Sequence, residues 1–298
     1  MSQSIYFDNK ELFTGPKVNQ YGSHMLMTNV TKTKKSKYVN IDTKFRDEYN
    51  SNVTSDYNVT LPERITDVRS ISVTNVEIPI TFFNISENLG NNAMKVGSSV
   101  IIVPDGEYTL TTLVAALNVT TIDITFSTAT SSNKITITAD TGTFAIDFGV
   151  DSIGGFAKYN FKSRLGWLMG FRNQTYSISS SGTTTMTSEF LVDLSGPRYL
   201  YLVIDEFTGN GNQKSFVSPL PSSVINKNIL ARVPLNKQTY PFMSVLPMGL
   251  STGLLSDVRS YTGKVDIQKL NVQLVNENGI AMNLNGADFS FCLEIEHE

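Results

Sequence analysis

The sequence predicts an all-β fold from three observations: strand-like alternation, composition and the spacing of turn residues. Apolar and polar side chains alternate near the C-terminus, where the apolar set is Phe289, Phe291, Leu293 and Ile295. This two-residue period is typical of a strand with one buried face. The 298 residues are 40% hydrophobic and 17% charged, with abundant Ser, Thr, Asn, Val and Ile, which favours strands over a helical bundle. Strand signals recur from Tyr38 onward, so we expect antiparallel strands in one large β domain or two smaller ones.

The first 37 residues are predicted to form a basic N-terminal arm. They show no sustained periodicity, and six lysines against two acidic residues give them a formal charge of +4 in a chain whose total is −3. Such a segment is either a solvated tail or one that orders on a neighbouring subunit or an anionic surface. Aromatic residues are not interleaved with the lysines, so the pattern does not favour binding to nucleic acid. The lysines proposed for these contacts are Lys32, Lys34, Lys35 and Lys37.

The first strand is predicted at residues 38–42, and a charged cluster follows it. Asp42, Arg46 and Asp47 lie close together in the sequence, and a guanidinium group can bridge carboxylates with a fixed geometry. We expect Arg46 to pair with Asp42 or Asp47 and to pin the loop that leads to the next strand. The cluster is interpreted as structural rather than catalytic.

An inserted lobe is predicted at residues 101–188, between two groups of longer strands. Its strand signals are separated by turn-forming residues, which predicts a three-stranded meander. Its two short segments with helical spacing predict the main helices of the chain. The strand signals begin at Ile122, Ile135 and Phe144, and the helices are predicted at 111–118 and 162–169.

Three further features are predicted along the strands and loops. The apolar positions change parity near Asn75, which indicates a β-bulge. Residues 199–204 are apolar on both faces and predict a central strand. The stretches 207–226 and 236–256 are rich in Gly and Pro, and long loops in a compact domain are often contact surfaces. The aromatic residues proposed as contacts in exposed loops are Tyr240, Phe242 and Tyr261.

The side chains needed for catalysis or metal binding are scarce. The two histidines are His24, in the predicted arm, and His297, the penultimate residue, so neither is expected to form a rigid site with Cys292. Glu294 and Glu296 share one face of the last strand, which is typical of a solvated face rather than an acid pair. We therefore predict no catalytic residue, no metal site and no cofactor.

The sequence gives no indication of secretion. The N-terminus lacks the apolar run of a signal peptide, and no apolar stretch approaches the roughly 18 residues that a membrane span needs. A single cysteine excludes a disulfide framework within the chain. We expect the protein to be made and used in a reducing compartment.

Several short motifs, in their order along the chain, resemble a known family. Residues 41–47 are the first of them, and the others are Leu61-Pro62-Glu63-Arg64-Ile65, Val76-Glu77-Ile78-Pro79, Asp105-Gly106-Glu107-Tyr108, Leu168-Met169-Gly170-Phe171, Asp288-Phe289-Ser290-Phe291 and Leu293-Glu294-Ile295. Together they resemble penton and minor capsid proteins of large eukaryotic double-stranded DNA viruses and their virophages. The resemblance spans most of residues 38–298.

This resemblance implies a single jelly-roll β-sandwich of two antiparallel sheets. The strands that such a fold needs are predicted at 38–100 and 190–298, so residues 101–188 would be the inserted lobe that carries the short helices. It also implies a structural virion protein that is not an enzyme. As a penton subunit it would assemble in five copies at icosahedral vertices of the capsid shell, within the infected host cell. It would contact the major capsid protein and other minor capsid proteins, and the basic arm would lie on the inner side, where an internal membrane is a further partner.

Two alternatives stay open at this point. One is a minor capsid or cement protein under the shell. The other is a jelly-roll head that binds a receptor or a carbohydrate, which would share the fold and the lack of catalytic residues. A jelly-roll hydrolase or lyase would instead require two acidic residues that converge in a cleft.

Overall fold

A computed structural model describes residues 17–18, 24–25, 34–48, 53–129, 132–155, 161–207, 216 and 228–298. Its strands are β1 (Lys17–Val18), β2 (His24–Met25), β3 (Lys35–Asp42), β4 (Asp56–Pro79), β5 (Ala93–Val96), β6 (Ser99–Ile102), β7 (Ile124–Ala129), β8 (Lys134–Ala139), β9 (Thr143–Asp147), β10 (Thr175–Ser179), β11 (Thr185–Thr187), β12 (Tyr199–Asp205), β13 (Ile229–Pro234), β14 (Val245–Gly249), β15 (Leu255–Ser256), β16 (Arg259–Val275) and β17 (Ser290–His297). Its α-helices are α1 (Leu110–Thr120) and α2 (Leu165–Leu168).

The strands outside the lobe form two antiparallel layers around one core. In the first layer β17 lies between β3 and the second half of β4, and β14 pairs with the other side of that half. In the second layer β16 lies between the first half of β4 and β12, and β13 pairs with β12. Side chains of both layers pack in a single hydrophobic cluster, which includes Leu293 of β17 in the first layer and Val272 of β16 in the second. The layers therefore form a β-sandwich.

This strand order is that of a jelly roll. The first long strand, β3, is paired with the last strand, β17, so that Ile41 lies opposite Phe291. The edge strands β3 and β14 bound one layer, while the first half of β4 and the short strand β15, which pairs with β13, bound the other. The all-β, jelly-roll sandwich expected from the sequence is confirmed.

The long strands β4 and β16 each continue from one layer into the other. Asp67, near the middle of β4, has a positive φ of 55°, and the register between β4 and β16 shifts three times around Val265 and Ile267. The register between β4 and β17 also shifts between Val73 and Asn75, which leaves Thr74 as an extra residue without a partner in β17. The β-bulge predicted near Asn75 is confirmed, and it explains the change of parity in the sequence.

The predicted central strand is confirmed as β12, between β13 and β16. Leu200 and Leu202 belong to the main core of the sandwich. On its opposite face Val203 packs with Ile229 and Val275 in a small separate cluster. Both faces of this strand are therefore covered, as the apolar run indicates.

A second hydrophobic core lies between β4 and β12 in the chain and takes buried residues from Ile85 to Ile178. Helices α1 and α2 belong to it and confirm the two predicted helical segments. Gly170, which follows α2, has a φ of +93°, and a Cβ there would overlap the carbonyl oxygen of Phe190. The boundaries of the inserted lobe at 101–188 stay a prediction.

The predicted three-stranded meander of the lobe is wrong in its third strand. β7 and β8 pair as expected, but the other edge of β8 pairs with β11, where Thr136 lies opposite Thr187. β9 instead pairs with β10 and β5 in a separate four-stranded sheet. β11, which comes later in the chain, therefore occupies the edge of β8 that the turn pattern of the sequence predicts for β9.

Candidate assembly surfaces

One open side of the sandwich is a groove between β3 and the first half of β4. The groove has a volume of about 630 Å³ and is lined along β3 from Lys37 to Asp42 and along β4 from Val59 to Ile65. Among the described residues β3 pairs only with β17, so its other backbone edge faces this groove. Two aromatic side chains project beside it, Tyr38 at 65% exposure and Phe45 at 76%. We call this side the β3 edge.

The lysines of the predicted arm divide between a strand and the residues before it. β3 begins at Lys35, three residues before the predicted start, because its backbone pairs with β17 as far as His297. Lys35 and Lys37 therefore lie in the sandwich, which corrects their placement in the arm. The Lys37 ammonium bonds Glu63 across the groove, and this bond lowers the Glu63 pKa. Lys34 approaches Glu296 to 3.3 Å, and Lys32 lies outside the described residues.

A polar corner fixes the loop at the end of β3. Asp42 caps the short 3-10 turn Thr43–Phe45 by accepting from the Lys44 amide at 2.9 Å. Arg46 donates from Nη1 to the Thr43 carbonyl oxygen at 2.8 Å and lies 3.3 Å from Asp288 Oδ1. Thr43 Oγ1 donates to Asp288 Oδ1 at 2.9 Å and accepts from the Phe289 amide at 2.9 Å. The corner therefore joins the start of the sandwich to its last strand.

The third residue of the predicted cluster, Asp47, bonds a different element. Its carboxylate accepts from the Thr60 amide at 2.9 Å and the Thr60 hydroxyl at 2.8 Å. The structural role that the sequence suggests is consistent with these contacts, although the pairing of Arg46 with Asp288 was not predicted. Asp288 is far away in sequence, and only the pairing of β3 with β17 brings it to Arg46.

We expect Asp288→Ala to lower the free energy of unfolding by about 1–3 kcal/mol. The substitution leaves the mostly buried Arg46 guanidinium, 10% exposed, without the carboxylate that it faces. Urea denaturation measures the effect. Glu48→Ala removes an exposed carboxylate from the same loop and is the control, with a change within about 0.5 kcal/mol. Equal changes in the two variants would contradict the structural role of the corner.

The opposite side of the sandwich is formed by β14 and β15, and we call it the β14 edge. β14 pairs with β4, and β15 pairs with β13, while the amide of Val73 donates to Ser256 Oγ at 2.9 Å. Five apolar side chains of this side are more than half exposed: Met243 73%, Val245 57%, Leu250 59%, Leu255 56% and Val258 56%. Scattered exposed apolar residues are ordinary, whereas several along one edge make it a candidate contact surface.

The three aromatic residues predicted as exposed contacts are more buried than expected. Tyr240 is half-buried against the main core, and Phe242 is half-buried and stacks on Phe83 with 5.9 Å between ring centroids. Tyr261 is only 6% exposed, so its assignment to an exposed loop is wrong. It lies in β16, and its hydroxyl donates to Glu206 Oε1 at 2.5 Å.

Tyr261 belongs to a buried polar network that the sequence did not indicate. Arg259 and Glu206 form an ion pair at 2.7 Å, with side-chain exposures of 5% and 6%. Arg259 also donates to the carbonyl oxygens of Ile204 at 2.8 Å and Asn228 at 2.9 Å. Burial, followed by the charge of Glu206, raises the Tyr261 pKa. The network fastens the end of β12 and the residue before β13 to β16.

The described residues contain no group of three or more His, Cys, Asp or Glu side chains that could hold a metal ion. Glu294 and Glu296, the acid pair of the last strand, bond separate groups: Glu294 accepts from the Tyr38 hydroxyl at 3.2 Å, and Glu296 accepts from the Ser70 hydroxyl at 3.0 Å. Over the same part of the chain, no helix has the length and apolar character to cross a membrane.

No protein-family model matches the sequence, and no curated protein sequence matches it. The crystal structure of the mavirus penton protein is similar, with a TM-score of 0.41 and 11% identity, over 89% of this chain and 100% of that chain. The cryo-EM structure of the Sputnik virophage is similar, with a TM-score of 0.38 and 13% identity, over 88% of this chain and 98% of that chain. A penton protein is one of the kinds of protein that the sequence motifs resemble, but at these TM-scores the likenesses carry no argument about function.

Proposed function

We propose that this chain is a structural virion protein, a penton-type capsid subunit that assembles in five copies at the icosahedral vertices. The observation that carries the proposal is the pair of apolar edges on opposite sides of the jelly roll. The β3 edge presents a groove with Tyr38 and Phe45, and the β14 edge presents a row that includes Val245 and Leu255.

Two different edges on opposite sides suit a closed ring. In a cyclic assembly of more than two copies, each subunit contacts its neighbours through two unlike surfaces, and the ring closes when the rotation between copies is right. The β14 edge of one copy would pack into the β3 groove of the next copy. Burial of these apolar side chains would supply the free energy of association.

The sequence motifs support the role as a virion protein. Their order along the chain resembles penton and minor capsid proteins, and the jelly roll is the fold which that resemblance implies. The proposed partners beyond the ring are the major capsid protein and other minor capsid proteins. The basic residues before β3 are proposed to contact these neighbours or an internal membrane, and the site of action is the capsid shell.

Mass photometry with negative-stain imaging of the purified full chain tests the ring. We expect rings of five copies that persist at about 1 M salt, because apolar contacts are not screened as ion pairs are. Mass spectrometry of purified virus particles tests the location and should detect the chain. A chain that is monomeric at every concentration and absent from the particles would contradict the proposal.

A further inference from the structure

A cleft of about 330 Å³ lies where the lobe meets the sandwich. The lobe lines it with Lys162, Trp167 and Arg172, and the chain at the start of β12 lines it with Arg198 and Tyr199. This volume is at the lower end of the range for small-molecule sites, about 300–1,000 Å³. The cleft involves neither of the two edges that we assign to assembly, so a ligand there would be additional to the proposed function.

The Arg172 side chain is oriented by the residues around it. Its guanidinium carbon lies 3.9 Å from the centroid of the Trp167 ring and 4.4 Å from the centroid of the Phe190 ring. Its Nη1 atom donates to the carbonyl oxygens of Trp167 at 3.0 Å and Phe171 at 3.1 Å. The rings restrict the tilt of the guanidinium plane, and the two carbonyls restrict its rotation. The group is therefore held in place before any ligand binds.

The other donors of Arg172 are unused. Among the described residues, Nε and Nη2 form no hydrogen bond or ion pair, and both atoms remain open to solvent. Glu189 bonds Arg172 only through the backbone amide, at 3.3 Å, and accepts from the Tyr176 hydroxyl at 2.6 Å. Arg198 and Arg259, by contrast, each face a carboxylate. Two adjacent N–H groups on an oriented guanidinium match two oxygens of an oxyanion.

The charges around the cleft favour an anion with more than one negative charge. Lys162 Nζ lies 6.0 Å from the centroid of the Trp167 ring, and Arg198 is a further cation. Of the two acidic side chains that line the cleft, Asp193 is paired with Arg198 at 3.1 Å. Burial raises the pKa of the other, Glu277, and so favours its neutral form. A phosphate monoester carries a charge of about −1.5 to −2 at pH 7 and is attracted more strongly here than a carboxylate.

We propose that this cleft binds the phosphate group of a small molecule. Nε and Nη2 of Arg172 donate to two of the phosphate oxygens, and Lys162 supplies a second positive charge. Free inorganic phosphate and the phosphate of a sugar phosphate both present this chemistry. Separate titrations with sodium phosphate and with glucose 6-phosphate distinguish these two sources.

Trp167 is the only tryptophan of the chain, so its fluorescence reports on the cleft. The full chain is titrated with each compound while sodium chloride keeps the ionic strength constant, which removes general screening as a cause. We expect a saturable change in emission with at least one compound, and a higher melting temperature at saturation, since a ligand that binds the folded state stabilises it. No saturable change with either compound would overturn the proposal.

Arg172→Lys keeps the positive charge but loses the planar pair of donors. It should weaken the affinity for the bound compound by at least about tenfold. Arg64→Lys makes the same change at an exposed arginine of β4 and should leave the affinity within about twofold. An unchanged affinity in Arg172→Lys would show that Arg172 only supports the aromatic rings and would overturn its role in binding.

Lys162→Gln provides a second test that leaves the Arg172 contacts in place. Lys162 is exposed, so the melting temperature without ligand should change little, whereas the affinity should fall by about threefold or more because one positive charge is lost. Isothermal titration calorimetry measures this affinity without relying on Trp167 emission. Where Arg172→Lys lowers the melting temperature of the free protein, the Lys162→Gln result decides, and an unchanged affinity in that variant would contradict a phosphate site.

Discussion

Arg259→Met is expected to lower the free energy of unfolding by about 3–5 kcal/mol. The substitution leaves Glu206, whose side chain is 6% exposed, as a buried carboxylate without its cation. It also removes the donor to the carbonyl oxygens of Ile204 and Asn228. These contacts attach the end of β12 and the residue before β13 to β16. Their loss should therefore also loosen the part of the second layer that β12 and β13 form. Urea denaturation followed by circular dichroism measures the change.

The exposed ion pair between Arg64 and Asp266 is the matched control. Its N···O distance of 2.8 Å resembles that of the buried pair, but the side chains are 60% and 36% exposed. Arg64→Met should change the free energy of unfolding by less than about 1 kcal/mol, because solvent screens exposed pairs. Equal losses in the free energy of unfolding for Arg259→Met and Arg64→Met would contradict the claim that burial makes the network important for stability.

A double substitution tests whether the stranded charge causes the loss. Glu206→Leu combined with Arg259→Met removes both charges and should be less destabilising than Arg259→Met alone, because buried ion pairs can often be replaced by apolar residues.

Tyr261→Phe removes only the hydrogen bond to Glu206 and should lower the free energy of unfolding by about 1.5–3 kcal/mol.

Phe45→Asp and Leu255→Asp are each expected to weaken the association of subunits by about 100-fold or more. Phe45 is 76% exposed beside the β3 groove, and Leu255 is 56% exposed on the β14 edge. A carboxylate at either position would be buried without a partner when the next subunit docks. Because both side chains are exposed in the single chain, the melting temperature should change little. Sedimentation velocity over a range of concentrations measures the association.

Ile122→Asp is the control for these two variants. Ile122 is 93% exposed and follows helix α1 in the lobe, away from both edge strands. This substitution adds the same charge to an equally apolar surface position, and rings should form as in the wild type. A loss of rings in Ile122→Asp would show that added charge alone prevents assembly.

The sequence predicts those parts of the fold that depend on local patterns. Alternation identifies β17, and the change of parity near Asn75 reflects the extra residue Thr74 in β4. The apolar run at β12 indicates a strand covered on both faces. In each case neighbouring residues carry the signal, because side chains of a strand alternate between two faces.

Features that depend on distant residues could not be predicted in this way. Lys35 and Lys37 look like part of a basic tail, and only the length of β17 draws them into β3. Tyr261 follows a Gly- and Pro-rich stretch and so suggests a loop, whereas its bond to Glu206 spans 55 positions of the chain. The apolar edges likewise emerge from the order of the strands, since an exposed leucine and a buried leucine have the same letter in the sequence.

The most direct test of assembly through two unlike edges is to mix Phe45→Asp with Leu255→Asp and to measure the mass of the product by mass photometry. Each variant alone should be monomeric, since one of its two edges is blocked. In the mixture the intact β14 edge of the Phe45→Asp chain can still dock on the intact β3 edge of the Leu255→Asp chain, so a complex of two chains, and none larger, is expected. Variants that stay monomeric when mixed, or that form rings on their own, would contradict assembly through these edges.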